Sequence, residues 1–218
     1  MGNLLNEILN TLKVFNITQV SVGESSVQFV SSGPKITMIS ACDFNASGSG
    51  ISRVYSTEAL LAGVVGCMQI EEVNESLVFT QETDTYKIVN TIQPLLQDDW
   101  SYEIPEEWST KVIVEIEAFK KFINLQQEIE TSVYLSNGNL YFDSEEASNT
   151  SIMQITHLDI MQEGTERVTV NFPSLKYLSG LLSRCERVSI MYTKECLSFV
   201  LMFEGDAAYH RAIFSGLQ

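Results

Sequence analysis

The chain has 218 residues, with 13 basic against 28 acidic side chains and a net charge of −15. Its 44% apolar and 10% aromatic content, with 4 prolines and 12 glycines, excludes a disordered or fibrous chain and fits two domains of about 110 residues. The negative charge repels phosphate at long range, which excludes a protein that coats nucleic acid over its whole surface; any DNA contact must be local.

Residues 3–15 place Leu4, Leu5, Ile8, Leu9, Leu12 and Phe15 at helical spacing. This segment lacks the charged-then-apolar order of a secretory leader, and no run approaches the roughly 18 apolar residues of a membrane span, so the expectation is an intracellular protein without membrane contact. Alternation around Val20–Val22 and Val27–Val30 predicts two strands. A second unit opens at Ser56-Thr57-Glu58-Ala59, with Leu60, Leu61, Val64, Val65 and Met68 along a helix and strands over 76–80 and 85–92. The third has a helix lined by Phe119, Phe122, Ile123 and Leu125, then a hairpin from Ser132 to Asp143 about the turn Ser136-Asn137-Gly138. The fourth starts at Phe172-Pro173-Ser174-Leu175, puts Leu178, Leu181 and Leu182 on one helix face, and ends in strands over 188–192 and 197–203.

Four helices of about eleven to fourteen residues, each followed by short strands, describe an α+β chain built from a repeated unit. The units pair into two similar domains, 1–93 and 111–218, each with two helices on antiparallel sheets. The stretch between them, 94–110, keeps neither period and reads as a connecting linker rich in acids, with Leu95, Leu96, Trp100 and Trp108 available either to cap the core or to meet a partner. Cys42, Cys67, Cys185 and Cys196 are scattered without a CxxC pair, which suggests neither a zinc cage nor a redox dithiol.

The segments VIVEIEAFKKFINLQQEIETSVYLSNGNLYFDS and VTVNFPSLKYLSGLLSRCERVSIMYTKECLSFVLMFEG, with the terminal strand YHRAIFSGLQ, repeat one plan of strand, helix and hairpin. Over nearly the whole chain this order resembles the DNA sliding clamp family, which includes proliferating cell nuclear antigen and the tailed-phage polymerase clamps. The resemblance implies the DNA clamp fold and a homotrimer closed head to tail into a ring, with helices toward a central hole and sheets as the outer wall. It implies a non-enzymatic processivity factor without cofactor or metal, whose partners are double-stranded DNA, a DNA polymerase, other replication or repair proteins and a clamp loader. Its place would be the nucleus or a site of viral or phage DNA replication. Matched by position, strand 85–92 would join 150–157 of a neighbouring subunit, with Tyr86, Ile88, Ile152 and Ile155 around the seam. A partner-peptide pocket would comprise Val30, Ile36, Leu95, Leu96, Ile104, Ile213, Phe214, Ser215 and Gly216, where Ser215-Gly216 stands in place of the Ala-Pro of many clamps. A subunit of a heterotrimeric checkpoint-type or archaeal ring, and a clamp-fold viral adaptor, are the alternatives.

A threaded ring needs helices less acidic than the rest of the chain. Counted over the four helical segments the charges come to +1, leaving −16 elsewhere. The DNA-facing candidates are Lys120, Lys121, Lys176 and Arg184, followed by Lys13; Arg187 stands at a helix end, where it can complement the dipole. His157 and His210 have no nucleophile or metal-ligand pattern near them in sequence. The stretch FNASGSGIS reads as a flexible loop and not as a phosphate cradle, and Asp98, Asp99, Glu106 and Glu107 as a solvated acidic run.

Overall fold

Alternating apolar residues put one side of most strands into a core. The computed structural model, which describes residues 2–96, 104–125, 129–146, 149–203 and 208–217, arranges them in two units. The first comprises Met1–Gly33, Met38–Tyr102 and Ala207–His210, the second Pro34–Thr37, Glu103–Asp206 and Arg211–Gln218.

The first unit opens with α1 (Gly2–Thr11) and a 3-10 turn at Leu12–Val14, followed by β1 (Ile17–Val22), β2 (Ser26–Ser32), β3 (Ile36–Asp43), β4 (Ala46–Ser47) and β5 (Ser52–Ser56). Then come α2 (Thr57–Val64), β6 (Gln69–Val73), β7 (Ser76–Glu82) and β8 (Lys87–Ile92). The strands order as β3-β2-β1-β5 and β4-β6-β7-β8. Leu5, Ile8, Leu9 and Leu12 of the first helical segment are buried, as are Leu60 and Val64 of α2. The α-helix is shorter than its periodicity predicts because the Thr11 hydroxyl donates to the Ile8 carbonyl at 2.6 Å, and the chain tightens into the 3-10 turn there. Ser56 caps α2 as expected, its hydroxyl accepting from the Ala59 N–H. The helix stops at Val64, short of the expected Met68, because Gly66 turns left-handed at φ +70 and a side chain there would collide with Gln81. Val65 and Met68 are consequently exposed.

The second unit runs β9 (Thr110–Glu115), α3 (Ile116–Leu125), β10 (Glu130–Ser136), β11 (Asn139–Glu146), β12 (Asn149–Ile155), β13 (Leu158–Gln162) and β14 (Arg167–Asn171). A 3-10 turn at Lys176–Leu178, α4 (Ser179–Leu182), β15 (Cys185–Tyr192), β16 (Cys196–Phe203) and β17 (Ala208–Ser215) complete the chain. The strand orders are β13-β9-β15-β16-β17 and β12-β11-β10-β14. Asn137 and Gly138, at φ 51 and 74, make the tight turn between β10 and β11. The fourth helix is four residues long where about three turns were expected, because Ser179 and Gly180 are poor helix formers in its short core. Leu125 lies off the buried stripe of α3 and is exposed.

Six phenylalanines bind this unit together. Phe122 of α3 stacks on Phe142 of β11 with centroids 4.1 Å apart and meets Phe172 and Phe199 edge-on at 5.7 and 5.9 Å. Phe119 meets Phe199 at 5.1 Å, and Phe214 of β17 closes on Phe172 and Phe199 at 4.9 and 5.2 Å. One helix is thus held to both sheets of its unit by rings whose pairwise geometry adds about 0.5–1.5 kcal/mol each beyond burial.

In the first unit His210 is fully buried, with Nδ1 2.7 Å from Ser40 Oγ, and Nε2 has no hydrogen-bond partner among the described residues. Burial pushes its pKa down to about 3, so the folded chain keeps a neutral imidazole. The unfolded chain takes up a proton below about pH 6.5 and the folded one does not, so stability is full above that pH and falls as the solution is acidified toward 3. Between pH 7 and 5 the expected loss is about 2 kcal/mol, and His210→Gln removes it; urea midpoints across that range check this. Glu72 acts at lower pH: burial opposes its charge, but the Ser49 hydroxyl and N–H and the Arg53 guanidinium hold its carboxyl below the usual range. At the β6–β7 turn Asn74 and Glu75 have φ 50 and 69. Glu75 carries a β-carbon in a left-handed conformation, and its exposed 3.4 Å pair with Arg53 offsets little. Glu75→Gly is expected to raise unfolding stability by about 0.5–1 kcal/mol, read from the same midpoints.

Candidate nucleic-acid interface

Burying one stripe of each helix leaves the opposite stripe to solvent. In the first unit α1 and α2 pack side by side, and Asn10, Lys13, Glu58 and Ala62 are exposed. Lys13 lies in the 3-10 turn and, with Phe15, Asn16, Ser56, Thr57, Glu58 and Leu61, lines a cleft of about 570 Å³. The Glu58 carboxylate there balances the Lys13 ammonium. In the second unit Lys120 Nζ is 2.7 Å from Glu117 Oε1, one turn earlier on α3, which cancels one of the two adjacent charges. Lys121 and Lys176 are exposed, and Arg184 is exposed two residues beyond the end of α4. Glu186 and Arg187, counted with the fourth helix in the sequence, belong to β15, and Glu128 lies outside the described residues. The basic surplus therefore belongs to the helices and flanking turns of the second unit.

The loop between β4 and β5 is tied down, contrary to the expected flexibility. Gly50 N–H donates to the Val22 carbonyl at 2.8 Å, while the Ser49 N–H and hydroxyl both donate to Glu72 Oε2, at 2.8 and 2.6 Å. Arg53 grips the other Glu72 oxygen at 3.1 Å. Both N–H groups that could have met a phosphate are thereby engaged. A cleft of about 500 Å³ in the second unit is lined in part by Glu115, His157, Asp159, Glu186 and Arg187. Three carboxylates against one guanidinium make it unsuited to an anion.

The expected peptide-pocket residues divide by burial. Leu95 and Leu96 are exposed, and Leu95 N–H donates to the Val54 carbonyl at 2.8 Å along the free side of β5. Ile104 is half-buried. Val30, Ile36 and Ile213 are buried, and Phe214 is a central ring of the second unit's aromatic core, so these side chains serve packing and are not open to a ligand. Ser215 is exposed, while Gly216 packs its backbone on Glu195, donating to that carbonyl at 2.6 Å. A side chain at 216 would strike the same carbonyl, which accounts for glycine there. Trp100, Asp98 and Asp99 lie outside the described residues.

The expected seam residues fall on two sheet edges. β8 pairs with β7 and β12 with β11, each leaving its other side open. Tyr86, Ile88 and Ile152 are exposed, but Ile155 is buried: its register partner is Leu140, so its side chain enters the core of its own unit. Val89, exposed on β8, and Met153, half-buried on β12, went unnoticed in the sequence, although each stands beside a chosen residue on the opposite face of its strand.

No known family profile and no curated protein matches the sequence. Comparison of structures does. The PCNA2-PCNA3 complex of Sulfolobus tokodaii has a chain that matches 99% of this one over 96% of its own length, with a TM-score of 0.76 at 10% identity. Proliferating cellular nuclear antigen of Entamoeba histolytica covers 100% of this chain with 96% of its own, at a TM-score of 0.74 and again 10% identity. With the α+β layout and mostly antiparallel sheets already described, these matches show that the chain has the fold of the PCNA-type sliding clamps.

Proposed function

We propose that the protein is a DNA polymerase processivity factor, a non-enzymatic homotrimeric ring that encircles duplex DNA and tethers polymerase and repair proteins to it. The observation that carries this reading is end-to-end agreement with the clamp fold in a chain whose acidic surplus lies off its helices. In such a ring the helices line the bore, and Lys121, Lys176, Arg184 and Lys13 meet phosphate, with Lys120 held back by Glu117. Exposed charges contribute on the order of 1 kcal/mol or less each, so the bore tolerates the duplex without gripping it and retention comes from closure. The exposed Leu95-Leu96 step at the start of the linker is the docking point for apolar anchors of partner peptides. A clamp loader opens the ring, and its place is wherever that replication occurs.

The match to a complex of two named clamp chains supports a second reading, in which this chain is one member of a ring of unlike subunits.

Loading onto primed circular DNA by an ATP-driven loader is expected to extend the product length of the cognate polymerase, and linearising the circle is expected to release the protein. Retention that survives linearisation, or no stimulation on any circle, would count against encirclement. Lys121→Glu with Lys176→Glu is expected to leave assembly intact while lowering loaded protein about three- to tenfold at moderate salt.

A further inference from the structure

We propose that the second unit carries a docking cleft for an arginine side chain presented on an extended, apolar segment of a partner protein. The cleft uses none of the seam, linker or DNA-facing residues named above, and it does not depend on the ring.

Three strands build it. In register, Asp159 of β13 stands beside Ile113 of β9, Ile113 beside Ser189 of β15, and Glu115 beside Arg187. Val112 and Val114 are buried in the core, so strand parity puts Ile113, Glu115, Asp159, Arg187 and Ser189 together on the opposite face. With the turn at Thr156-His157 they enclose about 500 Å³, a volume within the range of ligand sites.

A break in register adds to the set. β15 slips against β16 between Cys185 and Arg187, which makes Glu186 the extra residue of a bulge. Neighbours in a regular strand point to opposite faces, yet Glu186 and Arg187 are both exposed and both line the cleft. Bulges re-aim side chains in this way, and this one brings a third carboxylate to those on β9 and β13.

These charges differ from others in the molecule. Glu72 meets Arg53, Glu82 meets Lys87, Glu117 meets Lys120 and Asp143 meets Arg167. Among the described residues Glu115, Asp159, Glu186 and Arg187 form no ion pair, although Glu115 and Arg187 are direct cross-strand neighbours, a position where opposite charges ordinarily meet. The Ser189 hydroxyl is an independent sign. Ser189 is 5% exposed, parity turns it to the same face as Ile113 and Arg187, and its oxygen has no hydrogen-bond partner. A buried hydroxyl left unpaired is costly, and a donor entering the cleft relieves it.

Such an arrangement selects its occupant. Three carboxylates against one resident guanidinium leave the cleft negative, so the ligand is a cation. A second guanidinium, planar with five donors in a fork, reaches acceptors on more than one strand at once, whereas an ammonium is a point charge. Ile113 and Leu158 give the arginine stem an apolar wall. Val200 and Met202, half-buried beside Ser189 and Arg187 on the same face, continue that wall for the residues that follow. An extended segment turns alternate side chains to one face, so the apolar residues of the partner stand two positions from its arginine.

Methyl-detected NMR of the full chain tests this, with the capped pentapeptide Leu-Ser-Arg-Ser-Leu as probe. Saturable shifts are expected at Ile113, Leu158 and Val200 with a Kd of about 0.1–1 mM. Val73, beside the carboxylates of the β6–β7 turn, is expected to stay unshifted. A lysine in place of the arginine is expected to bind about three- to tenfold more weakly, and capped arginine alone about tenfold more weakly. Asp159→Asn with Glu186→Gln is expected to weaken the pentapeptide about tenfold or more. Shifts at Val73 as large as those at Ile113 reduce the binding to general charge attraction and overturn the proposal, as does the absence of any shift. Equal affinity for the lysine peptide overturns the guanidinium, and equal affinity for capped arginine overturns the partner segment. Should the double variant fold poorly, the peptide series on the unaltered chain decides. None of these outcomes bears on the clamp reading, which the loading assay tests separately.

Discussion

An antiparallel sheet satisfies every backbone group except the row along its outermost strand, and this unsatisfied row governs the molecule. Leu95 and Leu217 leave their own segments to donate to Val54 and Thr169, a residue drops out of register in β13, and β4 is cut to two residues. The chain thus spends linker, terminus and strand length on closing edges. Among the described residues, two edges of full length and apolar character remain open, one in each unit. Leaving edges open would make a monomer prone to aggregation, so in a stable protein they call for a fixed mate.

Open edges can pair in one way only if the sheets behind them are stiff. In the second unit that stiffness comes from the ring cluster. Phe119 and Phe122 on α3 reach Phe142 in one sheet and Phe199 in the other, so the helix cannot roll without separating aromatic pairs on both sides. The same packing explains why the helices carry so little chemistry on their exposed stripes. Their buried faces are specified by shape, whereas in the proposed ring the outer faces need only avoid repelling a phosphate backbone. A salt link such as Lys120 to Glu117 is compatible with that role and would not suit a site that had to bind DNA tightly.

Period and turn chemistry made much of the fold legible. The stripe Phe119, Phe122 and Ile123, the cap at Ser56, and the turn at Asn137-Gly138 all announce themselves because one local rule decides each. Elements set by contacts distant in sequence were not legible. β3 shows a mainly buried run, and β4 and β6 form the parallel pair, so neither displays the alternation of a half-buried strand. The fourth helix has the apolar spacing of a long one and is only a turn of α4, since Ser179 and Gly180 do not hold it together. At the candidate sites the resemblance matches Phe214 to a partner pocket and Ile155 to a subunit seam, yet both side chains point inward; a strand's parity decides this, and parity is known only once its partner strand is. Val89 and Met153 escaped notice for the same reason.

In the proposed ring these features combine into one physical scheme. A protein that must stay on DNA while moving along it cannot draw its hold from phosphate contacts, because every contact that lengthens residence also slows translation. Separating the two demands calls for a closed path, which supplies residence, and a nearly neutral lining, which permits movement. The chain's charge is arranged on that plan. The −16 that lies off the helices discourages duplex from settling on other surfaces, and the slight basic excess around Lys121, Lys176 and Arg184 keeps the lining from doing the same. The hold then resides in the seams, where apolar pairs and shared backbone bonds resist opening without regard to the sequence or salt of what passes through.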